Sequence, residues 1–180
     1  MLSGIAPLTF RVGGTFTDFT PMPGPRPGIS PKEPNQYNFS DVGWAAMNTL
    51  VESLPGSQLI VSVNGLLRHW DQPNIPWDPT NAAAFIKDNL AKGYKIYGYE
   101  LGNEPGCWGS HGGSVPASVH AKDFGILQGL LVEAYPDKST RPLVIGPDTT
   151  GCGGANSSGD LRDILAADPE WNVTTVRSFK

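Results

Sequence analysis

Tyr97-Gly98-Tyr99-Glu100-Leu101-Gly102-Asn103-Glu104-Pro105 is the stretch on which the reading of the whole chain turns. From about Lys95 to Gly102 it reads as a strand, with aromatic and apolar residues alternating with Gly and Glu. With a side-chain period of two, Glu100, Gly102 and Glu104 fall on one face. A buried strand places two carboxylates on one face only when both have partners or chemistry to perform. Glu104 comes last, where the strand opens into a Gly-rich loop from Gly106 to Gly113, and Pro105 ends the ladder just beyond it. Parallel α/β folds carry their catalytic acids at that end of the strands.

Working outward, short apolar runs alternate with helical patterns. Upstream, Leu8 to Val12 reads as a strand ending at Gly13-Gly14, and Pro and Gly dominate a loop from Pro21 to Pro34. A helix is expected from Asp41 to Leu54, capped by Ser40 or Asp41, with Val42, Ala45, Ala46, Leu50 and Leu54 on its buried face. Pro55-Gly56 stops it. The β-branched run Leu59 to Val63 reads as a buried strand. A helix from Thr80 to Lys92 precedes the central stretch. After it come a helix from Ser118 to Tyr135, a strand at Leu143 to Gly146, a Gly-rich loop from Gly151 to Gly159, a helix from Asp160 to Ala167 and a strand from Val173 to Phe179. Five strands alternating with four helices, joined by crossovers of this length, predict parallel strands. The doubly wound sheet and the (β/α)8 barrel use this pattern. Neither G-x-G-x-x-G nor G-x-x-x-x-G-K-[ST] follows a strand, which argues against a nucleotide-binding site.

Composition removes further classes. The 180 residues carry 13 Lys+Arg against 17 Asp+Glu, a net charge of −4, so there is no basic stripe for nucleic acid. The same scarcity of cations disfavours a heavily sulfated ligand. With 39% hydrophobic residues the chain can build a core, and 22 Gly and 17 Pro point to many turns. No apolar run is long enough for a membrane span, and the first residues lack the pattern of an export signal. Three sequons, at Asn38, Asn156 and Asn172, point the other way, toward a secretory route. His69, His111 and His120 share no metal-ligand spacing and read as surface or loop residues. Cys107 and Cys152 follow neighbouring strands; a disulfide between them and two free thiols both remain open. Trp70, Trp77 and Trp108 stand in loops on the catalytic side, where they cover the core edge or stack on a ring.

Asn103-Glu104-Pro105 at a strand end resembles the acid/base motif of retaining glycoside hydrolases built on (β/α)8 barrels. Three other blocks narrow this: Phe10-Arg11-Val12-Gly13-Gly14-Thr15-Phe16-Thr17-Asp18-Phe19, Leu59-Ile60-Val61-Ser62-Val63-Asn64-Gly65-Leu66-Leu67-Arg68, and Ile145-Gly146-Pro147-Asp148. In this order the four blocks resemble heparanase and the heparanase-like β-glucuronidases, glycoside hydrolase family 79. The likeness runs from the first residues to about Asp148.

This resemblance implies an α/β fold that is a partial (β/α)8 barrel, residues 1–180 supplying about five of eight strands, with the last barrel strands and a β-sandwich domain lying outside the chain. It implies retaining hydrolysis of β-linked glucuronic acid in a polysaccharide or proteoglycan glycan, without cofactor or metal. An extracellular, lysosomal, vacuolar or membrane-associated setting is implied too, including peripheral association with a membrane or the extracellular matrix. Carried over by position, Glu104 is the general acid/base, Asn103 hydrogen-bonds the sugar 2-hydroxyl, and Thr15 holds the sugar's hydroxyls. The family's nucleophile is a glutamate on a later strand that no residue here matches, so the chain alone is expected to be inactive. A non-catalytic glycan-binding or regulatory truncated homologue is the alternative. Glu100 is expected to be the structural partner of Arg11, and Asp148 to serve a cap or turn.

Overall fold

A computed structural model describes residues 4–18, 20–23, 39–67, 75–111 and 115–148, together with Ala166. Within them four strands, β1 (Thr9–Val12), β2 (Gln58–Val63), β3 (Gly98–Leu101) and β4 (Leu143–Ile145), alternate with three helices, α1 (Asp41–Glu52), α2 (Thr80–Ala91) and α3 (Ala117–Ala134). Every pairing is parallel, and the spatial order β1-β2-β3-β4 follows the chain. A doubly wound sheet reverses direction at a switch point, whereas barrel strands succeed one another in sequence, so this order is consistent with part of a (β/α)8 barrel. The expected fifth strand lies outside the described residues, as does the fourth helix apart from Ala166. Most of the Pro21 to Pro34 loop and the three sequon asparagines lie outside them too.

The register sorts the strands into two faces. Leu59, Val61, Val63, Tyr99, Leu101 and Val144 form the helix-side core with Trp44, Val51, Phe85, Ile86, Phe124, Leu127 and Leu131, and Phe10 and Val12 pack against it. The opposite face runs Arg11, Ile60, Gly98 and Leu143 in one layer and Ser62, Glu100 and Ile145 in the next. Gly98 is required there, because any Cβ would collide with Ile145.

Each helix begins for a local reason. The Ser40 side chain accepts a hydrogen bond from Gly43 N–H at 3.1 Å at the start of α1. At α2, Asp78 accepts from Thr80 N–H. At α3, the Pro116 carbonyl accepts from Val119 and His120 N–H. The face of α1 differs from the expected one. Trp44, Asn48 and Val51 are buried, as is Leu54 from the expected face, while Val42 is 80% exposed and Leu50 also faces solvent. Trp44 wins because its large ring packs on Phe85 and its indole N–H donates to Asn89 Oδ1 at 2.7 Å. Asn89 in turn donates to the Tyr99 hydroxyl at 3.0 Å, giving the apolar core one satisfied polar thread.

Three further corrections concern what lies near the sheet's C-terminal edge. Strand β3 is only four residues long, so the period of two does not carry through to Glu104. Pro105–His111, within the stretch read as a Gly-rich loop, forms a 3-10 helix, as does Thr15–Asp18. His120 is a buried helical residue, edge-on to Trp108 and Phe124 at centroid distances of 5.1 and 4.8 Å, not a surface one.

Candidate active site

Asn103 and Glu104 sit where β3 gives way to a turn, and Thr15 opens the turn that follows β1. After β3, Gly102 N–H still donates to Val63 O at 2.9 Å, and Ser62 Oγ donates to Gly102 O at 2.9 Å. The backbone then leaves the ladder through two left-handed residues, Gly102 (φ 72°) and Glu104 (φ 46°). Gly102 is dictated twice over: its φ favours glycine, and a Cβ there would strike the Trp108 ring. Glu104, a non-glycine residue at positive φ, carries backbone strain of the kind that clusters at functional sites. Its carbonyl is fixed by Cys107 N–H at 2.7 Å, while its half-buried carboxylate forms no ion pair among the described residues.

Trp108 is the cover under which this turn is held. Its ring lies against Gly65 and Gly102, and its indole N–H donates to Asn103 O at 2.9 Å. Trp77 is equally buried; its indole donates to Asn64 O at 2.6 Å and its backbone N–H to Asp123 at 2.9 Å. Both tryptophans therefore cover the core edge and neither offers a ring face to a ligand. Trp70 lies outside the described residues. Cys107 is disulfide-bonded, which removes the free-thiol reading for it; Cys152 lies outside the described residues.

Arg11, projecting from β1, is the electrostatic hub. Its Nε donates to Glu100 Oε2 at 2.7 Å, and its Nη2 reaches the Asp148 carboxylate at 2.7 Å and Asn103 Oδ1 at 3.0 Å. The Arg11–Glu100 pair expected from the sequence is present, but it is not uniformly buried: the side chains are 38% and 6% exposed. Asp148 is an ion-pair partner rather than only a turn residue. Burial pushes the Glu100 carboxyl up to about 7, against the pull of Arg11 and with a further push from Asp148.

Asp18 is the residue that sequence reasoning passed over. It is fully buried, and its Oδ1 accepts from Asn103 N–H at 2.9 Å, tying the turn after β1 to the turn after β3. Burial holds its carboxyl well above the usual carboxylate range, with the Asn103 N–H bond opposing. The signal was available: an acid inside the Phe10-to-Phe19 block that resembles the family. Thr15 opens that same turn, half-buried, and its side chain makes no hydrogen bond among the described residues. The structure thus brings Arg11, Asp18, Glu100, Asn103 and Asp148 into one network, with Glu104 next to Asn103 in the chain. Among the described residues no group of His, Cys, Asp and Glu is placed to hold a metal ion, and no helix is long and apolar enough to cross a membrane.

The chain matches the profile of Glycosyl hydrolase family 79, N-terminal domain, over residues 2–151. It is 30% identical to heparanase-like protein 3 of Arabidopsis thaliana over 161 residues, which cover 81% of this chain and 30% of that protein. Against heparanase-like protein 2 of the same plant it is 35% identical over 74 residues, covering 39% of this chain and 13% of the relative. Against baicalin-beta-D-glucuronidase of Scutellaria baicalensis it is 42% identical over 72 residues, covering 39% and 14%. The chain thus spans less than a third of the length of each of these relatives.

Proposed function

The chain belongs to glycosyl hydrolase family 79, and from that premise we propose that Glu104 is the general acid/base of a retaining hydrolysis of β-linked glucuronic acid carried out by the whole protein. One observation carries the reading most: Glu104 stands at positive φ in the turn that follows β3, beside an asparagine whose backbone is anchored on both sides. Retaining chemistry needs an acid to protonate the departing glycosidic oxygen and a second carboxylate, about 5 to 5.5 Å from it, to form the glycosyl-enzyme intermediate. The same acid then takes the proton of the incoming water. Asn103 would hydrogen-bond the 2-hydroxyl, a contact that strengthens as the ring approaches the oxocarbenium-like transition state. Thr15, at the mouth of the turn after β1, would hold neighbouring hydroxyls.

No described carboxylate stands ready as the nucleophile. Asp18 is fully buried with Oδ1 held by Asn103 N–H, and Glu100 and Asp148 share Arg11. The proposal is therefore that residues 1–180 bind the sugar and leave it intact, and that an incomplete barrel domain is completed by further strands and a β-sandwich. The substrate is a glucuronic-acid-bearing glycan or glycoside in an extracellular or lysosomal setting, and no cofactor takes part. Calorimetry with an aryl β-glucuronide on the 180-residue chain is expected to show weak binding, reduced by Asn103→Ala, with no release of the aryl group. Binding of a β-glucoside as tight as that of the glucuronide would sink the specificity. Turnover by this chain that survives Glu104→Gln would sink the assignment of the acid.

A further inference from the structure

Asn103 is held at three of its four hydrogen-bonding groups. Its N–H donates to Asp18 Oδ1, its carbonyl accepts from the Trp108 indole, and its side-chain Oδ1 accepts from Arg11 Nη2. Only the side-chain NH2 has no partner among the described residues. Which end of an amide faces a ligand is ordinarily a soft choice, since a half-turn exchanges the oxygen and the nitrogen. Here it is not soft, because a guanidinium is a donor on every edge and accepts nothing. Turning the amide would set NH2 against Nη2, two donors in contact.

Arg11 has no easy way to step aside. Its Nε side is bound to Glu100, which is almost wholly buried, and its Nη2 also holds Asp148. Withdrawing it would leave a buried carboxylate without its cation. The three partners use the planar fork in a way that a lysine ammonium on a flexible stem cannot reproduce.

We infer that Arg11 is a positioning residue: it fixes the Asn103 amide with its carbonyl inward, so that the NH2 group is presented to a hydroxyl of the bound sugar. The identity of that hydroxyl as the 2-hydroxyl of a β-glucuronide rests on the function proposed above; the orientation of the amide does not. Arg11 itself touches no substrate in this scheme. A site that hydrogen-bonds a hydroxyl rejects the analogue that lacks it, so the oriented amide should appear as discrimination against the 2-deoxy sugar.

The test compares the wild-type chain with Arg11→Lys, which keeps a cation for Glu100 but gives up the fork. Nitrogen–proton spectra report the Asn103 side-chain NH2 directly, and calorimetry reports the affinities for an aryl β-glucuronide and its 2-deoxy analogue. The Asn103 NH2 signals should move in the variant, and the preference for the 2-hydroxyl, about tenfold in the wild type for one good hydrogen bond, should fall toward one. In the wild-type chain, adding the glucuronide should shift the Asn103 NH2 signals and leave the Arg11 Nε–H signal in place; this measurement stands even where a variant fails to fold. Asn103 NH2 signals identical in wild type and Arg11→Lys would overturn the inference, as would a variant that loses affinity for both sugars equally. A sugar-induced shift at Arg11 Nε–H as large as that at Asn103 would make Arg11 a direct ligand and overturn it too. If the wild-type chain binds neither sugar, the glucuronide reading fails, and the Asn103 signals still decide whether Arg11 holds the amide.

Discussion

The helix-side face of the sheet and its opposite face use the same four strands and are stabilised in different ways. On the helix side, Val61, Val63, Tyr99 and Leu101 meet Phe85, Phe124 and Leu127 in an apolar core in which Asn89 links the Trp44 indole to the Tyr99 hydroxyl. On the other side, Arg11, Ser62 and Glu100 stand among Ile60 and Ile145; Arg11 and Glu100 balance each other and Ser62 donates to Gly102 O, each through one specific contact. Nondirectional burial tolerates small changes in shape, whereas a charge network depends on each partner being in place. The first face supplies stability; the second sets the geometry of the turn that holds Asn103 and Glu104.

The sharpest way to break this contrast is to damage the apolar face. Phe85→Ala empties a fully buried site between Trp44 and Tyr99. It should cost about 3–5 kcal/mol in urea denaturation, and a loss well below that would mean that the core there is loosely packed. Next comes Gly102→Ala, whose added methyl meets Trp108 at a left-handed φ. The expected loss is about 2–3 kcal/mol, together with displaced Trp108 fluorescence, and an unchanged emission spectrum would contradict the proposed cover. Arg11→Ala leaves Glu100 without its cation. Because Arg11 is 38% exposed and water screens it, about 1–2 kcal/mol is expected rather than the full penalty of a buried pair. A variant that melts like wild type would show that the network contributes no stability.

A pH series probes the same face without mutation. Folding lifts the Glu100 carboxyl from an ordinary 4.5 to about 7, chiefly by burial, and burial raises Asp18 as well. Between those values the folded chain keeps a proton that the unfolded chain has released. Stability is therefore greatest below about pH 4.5 and declines as the pH rises toward 7 on account of these groups. Glu100→Gln should flatten that decline in thermal melts, and a melting temperature that instead rises over this range through Glu100 would mean that Arg11 outweighs burial. The smallest effect belongs to Lys87→Ala at the α2–α3 surface. Its ion pair with Glu133 is more than half exposed on both sides, so the midpoint should not move measurably.

Much of this architecture was legible in the residues. The β-branched run of β2, the Pro55-Gly56 stop and the four blocks around Asn103-Glu104-Pro105 led to a parallel α/β sheet and to the family that the profile match shows. The pairing of Arg11 with Glu100 was also readable, since an acid on a buried strand needs a partner. The face of α1 was misread because periodicity gives Val42 and Leu50 the same weight as Trp44, whereas a large ring with an N–H to satisfy takes the core position. Extending β3 to Glu104 failed for a backbone reason: Gly102 leaves the ladder at positive φ, and an alternation count does not register such a turn.

The sequence by itself determined the order of the described elements, the parallel sheet and the place of Glu104 just beyond β3, because these depend on local pattern. The tertiary structure alone decided that Asp18 grips Asn103, that Trp108 roofs Gly102, and that Asp148 joins Glu100 on Arg11. The Asp18–Asn103 and Arg11–Asp148 contacts join residues 85 and 137 positions apart. Contacts across such separations depend on which strand ends the sheet brings side by side, and no spacing along the chain encodes that.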